Sequence, residues 1–165
     1  MKKTNSKIIP NFLKAKDFAS LQKIMMATHF PWFYKGELNG SSKKSDLDSY
    51  FTHSFFIDNN VNSNYFSILA PLIKAVKVKA LLRVVGNLYY KTDKIVVHPF
   101  HVDFPFKHKG ALLSLNTCNG ATFLKNNEKI KSVRNQMLFF DSSEHHASTS
   151  TTDQKARFNI LFNYF

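Results

Sequence analysis

The stretch "ARFNILFNYF" at residues 156–165 alternates apolar and polar side chains, and this pattern decides the fold. Successive side chains of a strand point to opposite faces, so one face is apolar and the other carries Arg157, Asn159 and Asn163. Buried polar groups cost free energy unless they are satisfied, so a polar inner face indicates a polar ligand. The alternative is that these side chains face solvent at a sheet edge.

Further short segments typical of strands lie upstream of this stretch. They are rich in Val, Ile, Leu and aromatic residues: "ALLRVVGNLYYKT", "KIVVHPFHVDF", "GALLSLNT", "ATFLKN", "EKIKSV" and "QMLFFD". Asn119-Gly120 and Asn126-Asn127 are predicted as the turns between them. Asn87 and Tyr89 share one face of their strand. So many short strands predict an antiparallel double sheet.

The first half of the chain reads mainly as helix. "KAKDFASLQKIMMATHF" predicts a helix, ended by Pro31, with Phe18, Leu21, Met25 and His29 on one stripe. "SNYFSILAPLIKAVKV" predicts a second helix, interrupted near Pro71. Between the two helices, the Gly, Ser and Lys cluster of "GELNGSSKK" predicts a loop, and "YFTHSFFI" predicts a strand.

These patterns together predict a mainly β protein with flanking helices. We expect one domain over residues 1–165, with helical support over about 1–79 and a β core over about 80–165. The expected architecture is a jelly roll, also called a double-stranded β-helix, with the amino-terminal helices packed on one sheet.

Composition sets the broad class of protein. The chain has 165 residues, 44% of them hydrophobic and 17 of them Phe, which predicts a globular domain with a sizeable core. No apolar run reaches the ~20 residues that cross a bilayer, and no signal peptide is evident. The single cysteine, Cys118, excludes an intrachain disulfide and favours a reducing, cytoplasmic setting.

The formal net charge of +12 has two interpretations. A basic surface attracts nucleic acid and other anions. Scattered lysines also keep a phenylalanine-rich protein soluble, and here no arginine-rich block or nucleic-acid-binding motif is present. The second interpretation is favoured, and a basic nucleic-acid-binding module stays as an alternative.

The segment "VVHPFHVDFPF" at residues 96–106 contains a candidate metal site. His101 and Asp103 are two residues apart, so on a strand they point the same way. A third ligand is available in "SSEHHAS", where His145 and His146 would face opposite ways, so only one of them can serve. Two histidines and one carboxylate are typical of non-haem Fe(II) oxygenases, and they also suit zinc. His98 is predicted to point away from the ion.

The order of these residues resembles the Fe(II)/2-oxoglutarate-dependent dioxygenases. His101-x-Asp103, then His146, then Arg157 ahead of "FNILFNYF" is most similar to the prolyl 4-hydroxylase-like branch, including small phage-encoded members. "GNLYYKTD" resembles the strand whose tyrosine contacts 2-oxoglutarate. The resemblance covers about residues 80–165. Where some hydroxylases carry a tyrosine before the "LN" of the central strand, this chain has Ser114, so one contact to the cosubstrate is either missing or replaced.

The resemblance implies a specific chemistry. His101, Asp103 and His146 would hold Fe(II), Arg157 would pair with the far carboxylate of 2-oxoglutarate, and Tyr89 would assist. Oxidative decarboxylation with dioxygen would yield succinate and CO2 and hydroxylate a C–H bond. A prolyl or other peptide residue is the expected substrate, ahead of nucleic acid, while the oligomeric state stays open. The alternatives are a zinc or other divalent-metal enzyme on a cupin-like barrel and the basic nucleic-acid-binding module.

Overall fold

The computed structural model describes residues 6–36 and 49–165. The predicted loop of "GELNGSSKK" lies, after its first glycine, outside these residues. No helix within the described ranges is long and apolar enough to cross a membrane.

Two helices and eleven strands make up the described chain. The helices are α1 (Ala15–Met25) and α2 (Ala70–Val76), and a turn of 3-10 helix (Phe66–Leu69) precedes α2. The strands of the first half are β1 (Lys7–Ile9), β2 (Phe33–Lys35), β3 (Tyr50–Ile57) and β4 (Asn60–Val61). The strands of the second half are β5 (Leu81–Tyr90), β6 (Lys109–Ser114), β7 (Cys118–Leu124), β8 (Lys129–Ser132), β9 (Gln136–Asp141), β10 (His146–Ser148) and β11 (Ala156–Tyr164).

The strands form two antiparallel sheets. The large sheet has the order β1-β9-β6-β11-β5-β3-β2, with β4 paired to β3, and the small sheet has the order β10-β7-β8. Isolated bridges from Val97 to Thr149 and from His101 to His146 extend the small sheet beside β10. The fold is the predicted jelly roll. The first half contributes four strands to the large sheet in addition to the two helices.

Each face of the large sheet covers its own apolar cluster. On the outer face, Ile160 and Phe162 of β11 pack with Phe18 and Met25 of α1. On the inner face, Leu161 packs between the two sheets with residues such as Leu124 of β7. The predicted alternation of β11 is therefore confirmed. Its polar inner residues Arg157, Asn159 and Asn163 are buried, which excludes the alternative of a solvent-exposed edge.

Three local predictions are wrong for identifiable reasons. Helix α1 ends at Met25, well before Pro31, and His29 is exposed beyond it. Asn119-Gly120 is part of β7 and not a turn: a Cβ on Gly120 would lie 2.6 Å from the Ser150 carbonyl oxygen and 2.8 Å from the Arg157 Cδ, so only glycine fits there. The predicted strand "KIVVHPFHVDF" forms only isolated bridges, since Pro99 has no N–H to donate to a ladder.

The packing of helices on the outer face generates a stability prediction. Phe162 is fully buried there, so Phe162→Ala should lower the free energy of unfolding by about 3–5 kcal/mol. Phe33 is 62% exposed, and Phe33→Ala should change that free energy by no more than about 0.5 kcal/mol. Chemical denaturation of both variants measures the difference. Equal destabilisation by the two changes would contradict the assignment of the core.

Candidate metal centre

The three predicted metal ligands come together at one end of the small sheet. The ligand atoms of His101, Asp103 and His146 all lie within 4.8 Å of one another. Nε2 of His101 is 4.0 Å from Asp103 Oδ1, and Nε2 of His146 is 3.6 Å from Asp103 Oδ2. Reciprocal backbone hydrogen bonds of 3.0 Å between His101 and His146 fix the two segments side by side. Within the described ranges, no other group of three metal-binding side chains is present.

Both imidazoles are oriented so that Nε2 is the available atom. Nδ1 of His101 lies 3.1 Å from the Pro99 carbonyl, and Nδ1 of His146 lies 3.0 Å from the Glu144 carbonyl. A carbonyl oxygen only accepts, so each Nδ1 carries the hydrogen and each neutral ring keeps its lone pair on Nε2. Such a backbone partner is the usual device that orients a metal-binding histidine. Burial also lowers the pKa of His146, which favours the neutral ring.

The carboxylate of Asp103 is held ionised. Burial by itself would raise its pKa, but Arg83, His146 and hydrogen bonds from Ser142 and Asn163 outweigh burial and lower the pKa to about 2. Arg83 forms a salt bridge with Oδ1, while Ser142 and Asn163 donate to Oδ2, the latter at 2.8 Å. A carboxylate offers roughly four lone-pair positions, so these donors leave one free for a cation.

Two of these partners of Asp103 were not identified as functional from sequence. Arg83 lies on the same face of β5 as Asn87 and Tyr89, so the alternation that identified those two residues also contained Arg83. Its Nε donates to Asn163 Oδ1 at 3.0 Å, and its guanidinium lies 5.2 Å from the Phe104 ring centroid. Ser142 could not be recognised as a functional residue from the sequence, because serines are common in loops.

A pocket opens beside the three ligands. It has a volume of about 110 Å³, well above the roughly 10–15 Å³ that one water requires. Its wall includes all three ligands together with Tyr89 and Asn87. The pocket is therefore shared by the candidate metal centre and by part of the predicted 2-oxoglutarate site.

Arg157 lies next to this wall but is not part of it. Its guanidinium is 5.4 Å from the Tyr89 ring centroid, and the side chain is only 1% exposed. Nη1 donates to the Thr149 carbonyl at 3.2 Å, and Nη2 donates to Thr122 Oγ1 at 2.8 Å. Nε has no hydrogen-bond partner, and no carboxylate of the described chain lies within salt-bridge distance. Arg157 is thus a buried cation without a counter-ion.

The inner face beside Arg157 has a second unsatisfied donor. Asn159 is fully buried; its Oδ1 accepts from Asn87 at 3.0 Å, but its Nδ2 has no partner. Ser114 is buried on the strand next to Asn159, directly opposite it in register. Native interiors leave few donors unsatisfied, so Arg157 and Asn159 together indicate a site that an anionic, oxygen-rich ligand would complete.

The remaining histidines of the two candidate segments do not join the cluster. His98 is buried against the aromatic rings of Tyr89 and Tyr50, with centroid distances of 5.1 and 6.3 Å. His98 is thus buried and lies outside the cluster of His101, Asp103 and His146. His145 is exposed, and its neighbour His146 is buried in the cluster.

Comparison with known proteins identifies the fold. No family profile matches the chain, and no curated protein matches it. Solved structures do match. A prolyl hydroxylase from Trichoplax adhaerens, in complex with a peptide of hypoxia inducible factor, is 16% identical, with a TM-score of 0.72 over 99% of this chain and 84% of that one.

Two further structures have the same fold. The viral collagen prolyl hydroxylase of Paramecium Bursaria Chlorella virus-1, in complex with 2-oxoglutarate, is 13% identical, with a TM-score of 0.62 over 98% of this chain and 95% of that one. HygX from Streptomyces hygroscopicus, with nickel and 2-oxoglutarate bound, is 12% identical, with a TM-score of 0.63 over 98% of this chain and 82% of that one. The chain therefore has the jelly-roll fold of the Fe(II)/2-oxoglutarate oxygenases.

The His145–His146 pair gives the first test of the site. His146→Ala should weaken Fe(II) binding by more than about 100-fold, beyond the roughly 10–100-fold cost of removing a group that only orients a ligand. His145→Ala should leave the affinity nearly unchanged, because that side chain is exposed. Anaerobic Fe(II) titration measures both, and a thermal melt confirms folding. Loss of binding in His145→Ala with retention in His146→Ala would move the ligand by one residue.

Proposed function

We propose that this protein is an Fe(II)- and 2-oxoglutarate-dependent dioxygenase that hydroxylates a C–H bond. The observation that carries the proposal is the cluster itself: two imidazoles with Nε2 available converge on one ionised carboxylate beside a pocket. Two neutral nitrogens and one carboxylate oxygen suit Fe(II) and leave further coordination positions open. His101, Asp103 and His146 are the proposed ligands.

The same residues explain how the protein would support the reaction. Bound Fe(II), with 2-oxoglutarate and dioxygen, supplies the oxidation and releases succinate and CO2. The protein supplies orientation: the Pro99 and Glu144 carbonyls fix the two rings, while Arg83, Ser142 and Asn163 fix the carboxylate. Because Asp103 stays ionised at neutral pH, a metal ion does not compete with a proton there.

Arg157 is the proposed partner of the far carboxylate of 2-oxoglutarate. A buried guanidinium without a counter-ion is costly, and its unpartnered Nε–H could donate to a carboxylate oxygen. Tyr89, which is part of the pocket wall and whose ring centroid is 5.4 Å from the Arg157 guanidinium, is proposed to assist. A zinc hydrolase has no need for such an arginine, so this residue favours the oxygenase over the zinc alternative.

The proposed substrate is a prolyl or other residue of a peptide. The support is the likeness to prolyl hydroxylases, one of which was solved with a peptide bound. Nucleic acid is the less favoured substrate. It would stimulate 2-oxoglutarate consumption in a manner that weakens steeply with salt.

The direct test of the proposed function is spectroscopic. Anaerobic addition of Fe(II) and then 2-oxoglutarate should produce the visible charge-transfer band of the chelate, and admission of oxygen should release succinate. His101→Ala and Asp103→Ala should abolish both signals while the thermal melt stays cooperative. If either variant kept full activity, the iron site would be misassigned. Tight zinc binding without the chelate band would favour the zinc enzyme.

Arg157 gives a quantitative prediction. A charge-assisted hydrogen bond contributes roughly 1.5–3 kcal/mol, and each 1.4 kcal/mol is about tenfold in affinity. Arg157→Leu should therefore weaken 2-oxoglutarate binding by at least about tenfold and leave Fe(II) affinity nearly unchanged. Arg157→Lys keeps a point charge but loses the bidentate geometry of the guanidinium. Its affinity for 2-oxoglutarate should therefore lie between those of the wild type and Arg157→Leu. Anaerobic titration with Fe(II) and then 2-oxoglutarate measures this, and unchanged 2-oxoglutarate affinity in Arg157→Leu would remove the cosubstrate from this position.

A further inference from the structure

The pocket beside the metal centre contains two cationic side chains that a prolyl substrate does not require. Lys35 of β2 and Arg83 of β5 both line it, on the same wall as Asp103 and His101. β2 pairs with β3 so that Lys35 lies opposite Tyr50, another residue of this wall. Both cations therefore face the space where a substrate would meet the metal.

Each of these two cations has hydrogen-bond donors that no described residue accepts. The ammonium group of Lys35 makes no hydrogen bond or ion pair with any residue in the described ranges. Arg83 donates through Nη2 to Asp103 and through Nε to Asn163, which leaves Nη1 uncommitted within the same ranges. Burial, and then the charge of Arg83, lower the pKa of Lys35, so this ammonium lies in a partly desolvated and electropositive position.

Among the described residues, the charge balance of the loaded site leaves this positive charge uncompensated. Fe(II) and 2-oxoglutarate carry equal and opposite charges, and Asp103 offsets Arg83. Arg157, the proposed partner of the far carboxylate, and Lys35 then remain as excess positive charges. Asp103 is the only carboxylate that the described part of the chain contributes to the pocket wall, so nothing there offsets Lys35. A cleft lined by charges of one sign raises the local concentration of ligands of the opposite charge. The net charge of +12 acts in the same direction.

We propose that the primary substrate carries an anionic group, a carboxylate or a phosphate, that Lys35 and the free Nη1 of Arg83 bind beside the metal. This inference rests on the proposed function and narrows it by naming the substrate class. The anion offsets the charge of Lys35. Its binding places the C–H bond that is to be oxidised next to the open coordination positions of the metal. Lys35 is thus a specificity-determining residue.

The experiment compares small probes of matched size but different charge. Wild-type protein loaded with Fe(II) and 2-oxoglutarate is titrated anaerobically with N-acetylglycine, methyl phosphate and the neutral N-acetylglycinamide, with binding followed by ligand-observed NMR. At least one anion should bind about tenfold more tightly than the neutral amide, as one charge-assisted hydrogen bond provides. The stronger of the two anions identifies a carboxylate-bearing or a phosphate-bearing substrate.

Variants of Lys35 assign this preference to the pocket. Lys35→Met keeps the length of the side chain and should abolish the preference for anions, whereas Lys35→Arg keeps the charge and should retain it. Lys23→Met is the matched control: it removes the same charge from an exposed position on α1 and should leave the preference intact. If the control lost the preference equally, the effect would come from overall charge, and the inference would be overturned.

Two measurements separate failure of this inference from failure of the proposed function. A normal chelate band with equal binding of charged and neutral probes would overturn the anionic substrate alone. Absence of the band, with anion binding that still depends on Lys35, would overturn the oxygenase alone. A tenfold loss of 2-oxoglutarate affinity in Lys35→Met would make Lys35 a cosubstrate residue and would also overturn the inference.

Discussion

The ionised state of a single buried carboxylate, Asp103, is the constraint on which the site depends. Burial of a carboxylate is expensive, and here Arg83, Ser142 and Asn163 compensate for it from three different parts of the chain. Arg83 and Asn163 lie in register on neighbouring central strands of the large sheet. The large sheet therefore supplies two of the groups that hold the carboxylate. The small sheet, with the isolated bridges beside β10, positions the two imidazoles next to it.

The sequence predicted the framework because its strands are strongly patterned. β11 alternates apart from Leu161, so its core face and its polar face could both be read directly, and β3 was predicted with the bounds that it has. The segment with His101 and Asp103 was predicted as a strand, yet the two side chains converge without one. Isolated bridges to Thr149 and His146 replace the ladder that Pro99 interrupts.

Long-range pairing explains what could not be predicted. Arg83 and Asp103 belong to different segments, and only the closure of the two sheets shows that they form an ion pair. Gly120 gave the signal of a turn, because Asn-Gly is the strongest local sign of one. Its role is steric, because a Cβ there would meet the Ser150 carbonyl oxygen and the Cδ of Arg157, which belongs to β11. Local propensity carries no information on such a contact.

The two cations that we propose to bind anionic groups, Arg157 and Lys35, differ in burial. Next to Tyr89, a fully buried cation is unpaired and two amide or guanidinium donors are unsatisfied, which suits a carboxylate that loses all its water on binding. Lys35, on the pocket wall, is only half-buried, which suits a group on a ligand that enters and leaves in every cycle. In the proposed complex the cosubstrate and the substrate would therefore not compete for the same cation.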